Sequence, residues 1–147
     1  MKKIVVSACL LGENCKYSGG NNYDPNVAEL IRGREVIPVC PEVLAGLGIP
    51  RTPMEIQNGI LVDKNGNVPD KKVRHAVALI LQQLRHEDIE FVILKSRSPT
   101  CGVHQVYDGT FTGTLVDGSG VLAQALRAAG YTVMDNDELE GKINAGI

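Results

Sequence analysis

Three short apolar runs dominate the hydrophobic pattern of the chain: Ile4-Val5-Val6, Val36-Ile37-Pro38-Val39 and Phe91-Val92-Ile93-Leu94. Each is β-branched, lacks polar alternation and is bounded by breakers, which predicts strands buried on both faces of a parallel sheet. The first is read as Ile4–Ser7, and a weaker fourth strand is expected at Tyr131–Met134. Helical spacing fills the intervals. From Lys71 to Arg85 or His86, the residues Val73, Ala76, Val77, Ile80, Leu81 and Leu84 recur every three or four positions, with polar side chains between them. Asp24 and Pro25 predict a cap and first residue for a short helix reaching about Arg32. Pro41 opens a further helical turn, Val121–Ala129 is closed by Gly130, and Asp137–Ile143 forms a last short helix.

Asn65-Gly66, lying between Gly59–Asp63 and Asn67–Pro69, predicts a small peripheral hairpin. Val106–Gly113 reads as irregular structure or a second hairpin. The alternation of strands and helices predicts one α/β domain over residues 1–147. Its core would be a Rossmann-like, mainly parallel sheet of about four strands with helices on both faces.

Cysteines follow the strands. Cys9 comes just after the first run, Cys40 directly after the second and Cys101 a few residues after the third. Parallel strands present their carboxyl ends at one edge, where open α/β sheets bind ligands. Three thiols from distant parts of the chain then meet at one point, which reads as a metal centre. The competing reading is a set of buried thiols acting as small hydrophobes. The spacing fits neither the paired short intervals of zinc ribbons and Cys₂His₂ fingers nor the compact ferredoxin run.

Cys15 lies in the long Gly/Asn-rich loop Leu10–Asn22, whose length itself hints at function. Glu42, two residues after Cys40, is either a general base or an acid complementing a helix N-terminus. Ser98, three residues before Cys101, is either a proton donor or a turn former. His75 and His86 fall on the long helix and read as solvated surface, whereas His104 could border the site. Arg51 and Lys95 are candidate cations at the site's edge, with ordinary surface as the default. Ser18-Gly19-Gly20-Asn21 and Gly118-Ser119-Gly120 could wrap a polar ligand or phosphate at a helix start.

Composition narrows the class. The chain has 147 residues, four cysteines and a net charge of −2, so it shows no general electrostatic affinity for nucleic acid or anionic membrane. Lys2-Lys3 followed by Ile4–Leu11 imitates a signal peptide, but the stretch before Cys9 is too short for its apolar region. No run of about 18 apolar residues could span a membrane. The expected location is cytoplasmic, where thiols stay reduced and serve metals or catalysis.

Several segments in fixed order carry a resemblance. Val6-Ser7-Ala8-Cys9-Leu10-Leu11-Gly12, Cys15-Lys16-Tyr17-Ser18-Gly19, Val39-Cys40-Pro41-Glu42, Gly48-Ile49-Pro50-Arg51 and Lys95-Ser96-Arg97-Ser98-Pro99-Thr100-Cys101-Gly102 resemble a bacterial family of thiouracil desulfidases. The likeness extends through Tyr107-Asp108-Gly109-Thr110-Phe111. It implies a [4Fe–4S] cluster held by three cysteines, here Cys9, Cys40 and Cys101, with the fourth iron open. Glu42 and Ser98 would be the catalytic side chains. Cys15 also matches a cysteine of the family pattern, as a ligand, a neighbour of the cluster or a structural residue. Lys16 and Ser18 stand where that pattern leads us to expect Arg and Asp, and Ser96 offers a second hydroxyl.

The implied reaction is hydrolytic removal of sulfur from a thiolated pyrimidine, releasing hydrogen sulfide. Two other readings use the same residues. One is a sulfur transferase acting on another thiolated compound. The other is a structural or regulatory zinc module on four thiolates, which would leave no open coordination position.

Overall fold

The computed structural model describes residues 2–139. In chain order the strands are β1 Lys3–Ser7, β2 Val36–Val39, β3 Met54–Gln57, β4 Ile60–Asp63, β5 Ile89–Leu94, β6 Gln105–Tyr107, β7 Leu115–Asp117 and β8 Val133–Asp135. The helices are α1 Pro25–Leu30, α2 Pro41–Leu44, α3 Asp70–Leu84 and α4 Val121–Ala128, and a 3₁₀ turn covers Ala8–Leu11. Four strands form a parallel sheet in the order β2-β1-β5-β8.

The unbroken runs of β1 and β5 follow from burial on both faces; β2 departs from that expectation, because as an edge strand it leaves Val36 and Ile37 half-buried and Pro38 exposed. Val5, Val92 and Leu94 pack with α3 and α4, through Val77, Ile80, Leu84, Leu122 and Leu126. Their neighbours Ile4, Val6 and Ile93 point the other way, onto Val27 of α1, Leu10 and Leu139. Pro38 sits in β2, an edge strand, where its missing N–H costs the sheet little.

The expected strands and helices are present with small shifts at their ends. β5 begins at Ile89 because Glu90 faces outward, where its Oε1 lies 2.6 Å from Arg34 Nη2. β8 starts at Val133 because Tyr131 still serves α4, donating its N–H to Leu126 O at 3.1 Å. Residues 136–139 are helical; the remainder of the predicted Asp137–Ile143 helix lies outside the described residues.

The hairpin is a correction. β3 pairs with β4 around Asn58-Gly59, not around Asn65-Gly66. Asn58 (φ 50°) and Gly59 (φ 80°) take the left-handed conformation that a two-residue hairpin turn needs. Asn65-Gly66 instead lies in a turn closed by Asp63, whose Oδ1 accepts the N–H groups of Asn65 and Asn67 at 2.9 Å. A second hairpin, β6–β7, forms where the pattern left hairpin and irregular structure open. Among the described residues no helix is long and apolar enough to cross a membrane.

Candidate active site

After β1 the chain runs to β2 on one side of it and then returns to β5 on the other. β1 therefore marks the topological switch point, outside whose carboxyl end such sheets form a crevice. The crevice is a cavity of about 560 Å³, lined by all four cysteines together with Glu42 and Ser98.

Local chemistry places each thiol. Cys9 lies in the 3₁₀ turn after β1, which Gly12 ends at φ 95°. Its carbonyl accepts Asn22 N–H at 3.0 Å, folding the long loop back over the strand end. Cys40 is the extended residue before α2, and Pro41 supplies the helix's first position.

Cys101 is held by the loop after β5. Ser98 Oγ accepts the N–H groups of Thr100 (3.2 Å) and Cys101 (3.0 Å), and Ser98 O accepts that of Gly102 (2.8 Å). The N-terminus of α4 packs against the same loop. A Cβ on Gly120 would stand 2.4 Å from Thr100 C and 2.7 Å from Cys101 N, so only glycine allows this approach.

The α4 amides are thereby used up. Val121 and Leu122 donate to the carbonyls of Pro99 and Thr100, which corrects the expectation that Gly118-Ser119-Gly120 presents a helix start to a ligand. The Ser18–Gly20 segment closes on itself through Lys16 N–H to Gly20 O and Gly19 N–H to Lys16 O.

All four cysteines are free thiols. Burial pushes the Cys101 thiol up to about 12, opposed by hydrogen bonds to Ser7 and Thr100. Burial also raises Cys15 to about 12, with Cys40 and Cys9 adding to the rise. Cys9 is raised by burial against a hydrogen bond from Asn22. Burial thus favours the neutral thiol at Cys9, Cys15 and Cys101, and a metal bound there would have to displace a proton.

No three of the sulfurs lie within 4.8 Å of one another, although Cys15 and Cys40 are close enough to share a side-chain hydrogen bond.

Glu42 is organised from two sides. Its Oε2 accepts Arg51 Nε at 3.0 Å and Nη2 at 2.5 Å, in a pair whose side chains are only 5% and 14% exposed for Arg51 and Glu42. Arg51 also donates to Cys15 O (2.8 Å) and Gly48 O (3.1 Å). It is therefore a buried brace between two loops and α2, not a cation at the surface. The other carboxylate oxygen, Oε1, accepts Thr100 Oγ1 at 3.3 Å, and Thr100 Oγ1 lies 3.1 Å from Ser98 Oγ.

Lys95 lines the cavity and its ammonium donates to Ser96 O (2.9 Å) and Ser96 Oγ (3.3 Å). Burial lowers its pKa, with Arg97 next in effect. Ser98, not Ser96, joins the network of Glu42. His104 does not line this cavity; its Nε2 lies 2.6 Å from Glu138 Oε1 on an exposed surface. His75 and His86 are exposed, as expected.

Sequence reasoning missed Thr100, whose only signal was its place between Ser98 and Cys101. It missed the aromatic wall as well: Tyr17, Tyr107 and Phe111 all line the cavity. Phe111 is held at φ 58° by Glu55, whose Oε1 accepts the N–H groups of Gly109 (2.9 Å) and Phe111 (3.1 Å).

A parallel α/β sheet that gathers thiols from three strand ends beside a buried carboxylate defines a cysteine-centred enzyme of the switch-point class. The model of the 2-thiouracil desulfurase family matches residues 4–138, and the chain belongs to that family. It is similar to the uncharacterized protein YbbK of Bacillus subtilis (strain 168), with 34% identity over 92% of this chain and 97% of that protein. Among solved structures it is similar to a [4Fe-4S]-dependent thiouracil desulfidase, TudS. That match has a TM-score of 0.88 and 34% identity, covering 99% of this chain and 97% of the other.

Proposed function

We propose that the protein is a [4Fe–4S]-dependent desulfidase that removes sulfur from a thiolated pyrimidine of the thiouracil type. The observation that carries this reading is the convergence of Cys9, Cys40 and Cys101 on one cavity with Glu42 and Ser98. Family membership and the 34% identity to a [4Fe-4S]-dependent thiouracil desulfidase support the substrate class and cofactor. The donor set fits the group: soft thiolates suit iron–sulfur clusters, and these three come from separate strand ends. Cys9, Cys40 and Cys101 would hold the cluster, and Cys15, whose carbonyl oxygen lies 4.0 Å from Cys40 Sγ, would stand beside it as a neighbour. When bound, a cluster with three protein ligands supplies an open iron, a Lewis acid for a thiocarbonyl sulfur.

The chain's own groups do the rest. Tyr17, Tyr107 and Phe111 offer flat faces for a planar ring. Glu42, with Oε2 fixed by Arg51, takes a proton from the water that attacks the thiocarbonyl carbon. Ser98 has both lone pairs engaged by backbone N–H groups, so its hydroxyl has its proton to offer and donates it to the ring. The C–S bond is replaced by a C–O bond; the sulfur departs as hydrogen sulfide, carrying the second hydrogen of the attacking water and the proton given to the ring, and no electron is gained or lost overall.

The test is sulfide release from 2-thiouracil by anaerobically reconstituted protein. Glu42→Gln is expected to keep its iron and lose about 10²–10⁴ in kcat. Full turnover by that variant would remove Glu42 from the reaction.

A further inference from the structure

The two proposed catalytic side chains share no hydrogen bond; one buried hydroxyl joins them. Thr100 Oγ1 lies 3.3 Å from Glu42 Oε1 and 3.1 Å from Ser98 Oγ, and Thr100 is 2% exposed. We propose that Thr100 is the proton relay that returns to Ser98 the proton Glu42 takes from water. This inference rests on the roles of Glu42 and Ser98 given above.

The hydrogen-bond inventory sets the direction. A hydroxyl has one proton and two lone pairs. Ser98 spends both lone pairs on Thr100 N–H and Cys101 N–H, so it cannot accept a further proton until it has given its own away. Once it has protonated the ring, its oxygen is an alkoxide with a third lone pair, and the same two N–H groups stabilise that charge.

Thr100 then passes its hydroxyl proton to Ser98 and takes one from the Glu42 carboxyl. Glu42 returns to the carboxylate form and Ser98 to the neutral hydroxyl. One proton leaves the attacking water and one reaches the ring, so charge and atoms balance within the three side chains. Without Thr100, Ser98 has no path to the proton held by Glu42, whose other oxygen is closed off by Arg51.

Thr100 Oγ1 also lies 3.6 Å from Cys101 Sγ, so a role in holding the thiol must be separated from the relay. The experiment compares Thr100→Val, which keeps the shape and removes the hydroxyl, with Thr100→Ser, which keeps the hydroxyl. Thr100→Ala is run beside them because it cannot clash if the valine packs poorly. Iron and labile sulfide per chain, the visible cluster spectrum, kcat and KM for 2-thiouracil are measured for each.

The relay predicts wild-type iron and spectrum in all three. It further predicts KM within about twofold, kcat reduced about 10–100-fold in the valine and alanine variants, and recovery in the serine variant. Wild-type kcat in either hydroxyl-free variant overturns the relay. So does loss of iron in both, which would assign the hydroxyl to Cys101. Glu42→Gln and Ser98→Ala measured alongside separate the two levels. If they are slow while Thr100→Val is fast, the relay alone fails. If Glu42→Gln is fast, the underlying reading fails with it.

Discussion

Replacing Gly120 with alanine probes how tightly the Cys101 loop is held. Gly120 has ordinary dihedrals (φ −70°, ψ 165°), so alanine introduces no backbone strain and its effect comes from space alone. The new methyl would meet Thr100 C at 2.4 Å, Thr100 O at 2.5 Å and Cys101 N at 2.7 Å. Carbon–carbon contacts are favourable only beyond about 3.5 Å, so α4 and the loop must part by roughly 1 Å. These atoms are backbone and cannot rotate away.

Overpacking of this kind costs about 1–3 kcal/mol, offset in part by about 0.4–1 kcal/mol from the stiffer unfolded chain. A net loss of about 1.3 kcal/mol lowers Tm by about 3–5 °C at this chain length. The same 1 Å is several times the roughly 0.2 Å tolerance of metal–ligand distances, so iron retention falls with it. Gly118→Ala is the internal control, because its methyl meets only the Val106 side chain at 3.2 Å. Thermal unfolding of the metal-free variants and iron content after reconstitution form the assay. If Gly120→Ala melts and loads iron like Gly118→Ala, the close approach does not position Cys101.

Two further outcomes follow from the charged groups. Glu55→Ala strips the acceptor from the N–H groups of Gly109 and Phe111, which should cost about 1–3 kcal/mol and raise KM through Phe111, while Glu55→Gln keeps an acceptor and most of both; an unchanged KM in the alanine variant would contradict this. Burial, then Glu138, raises the pKa of Asp135 above its usual 3.8. The unfolded chain therefore loses this proton first as pH rises, and Asp135 subtracts stability on passing from acid to neutral pH. Asp135→Asn should gain stability on wild type as pH rises above the usual 3.8 of an aspartate, in urea unfolding; parallel pH profiles would refute it.

The parts of the fold with one strong pattern were readable in the sequence. Short apolar runs identified β1, β2 and β5, of which only β1 and β5 are buried on both faces, and the spacing from Val73 to Leu84 identified α3. The hairpin went astray because two Asn-Gly pairs compete, and the choice depends on Asp63, which draws the N–H groups of Asn65 and Asn67 to its own carboxylate. The convergence of Cys9, Cys40 and Cys101 was legible because parallel strands share a carboxyl edge. What joins them was not. Arg51 reads in sequence as a cation at the site's edge or as ordinary surface, and only the meeting of α2 with two loops shows it to be a buried partner of Glu42. Thr100 is one hydroxyl among several in its segment, and its role comes from α2 and the Cys101 loop lying side by side.

The most direct test of the account is iron and acid-labile sulfide per chain after anaerobic reconstitution of wild type, Cys101→Ala and Cys15→Ala. The account predicts about four irons in wild type and in Cys15→Ala, and a collapsed cluster in Cys101→Ala. Iron absent from wild type with zinc in its place, or four irons retained without Cys101, would contradict a cluster held by Cys9, Cys40 and Cys101.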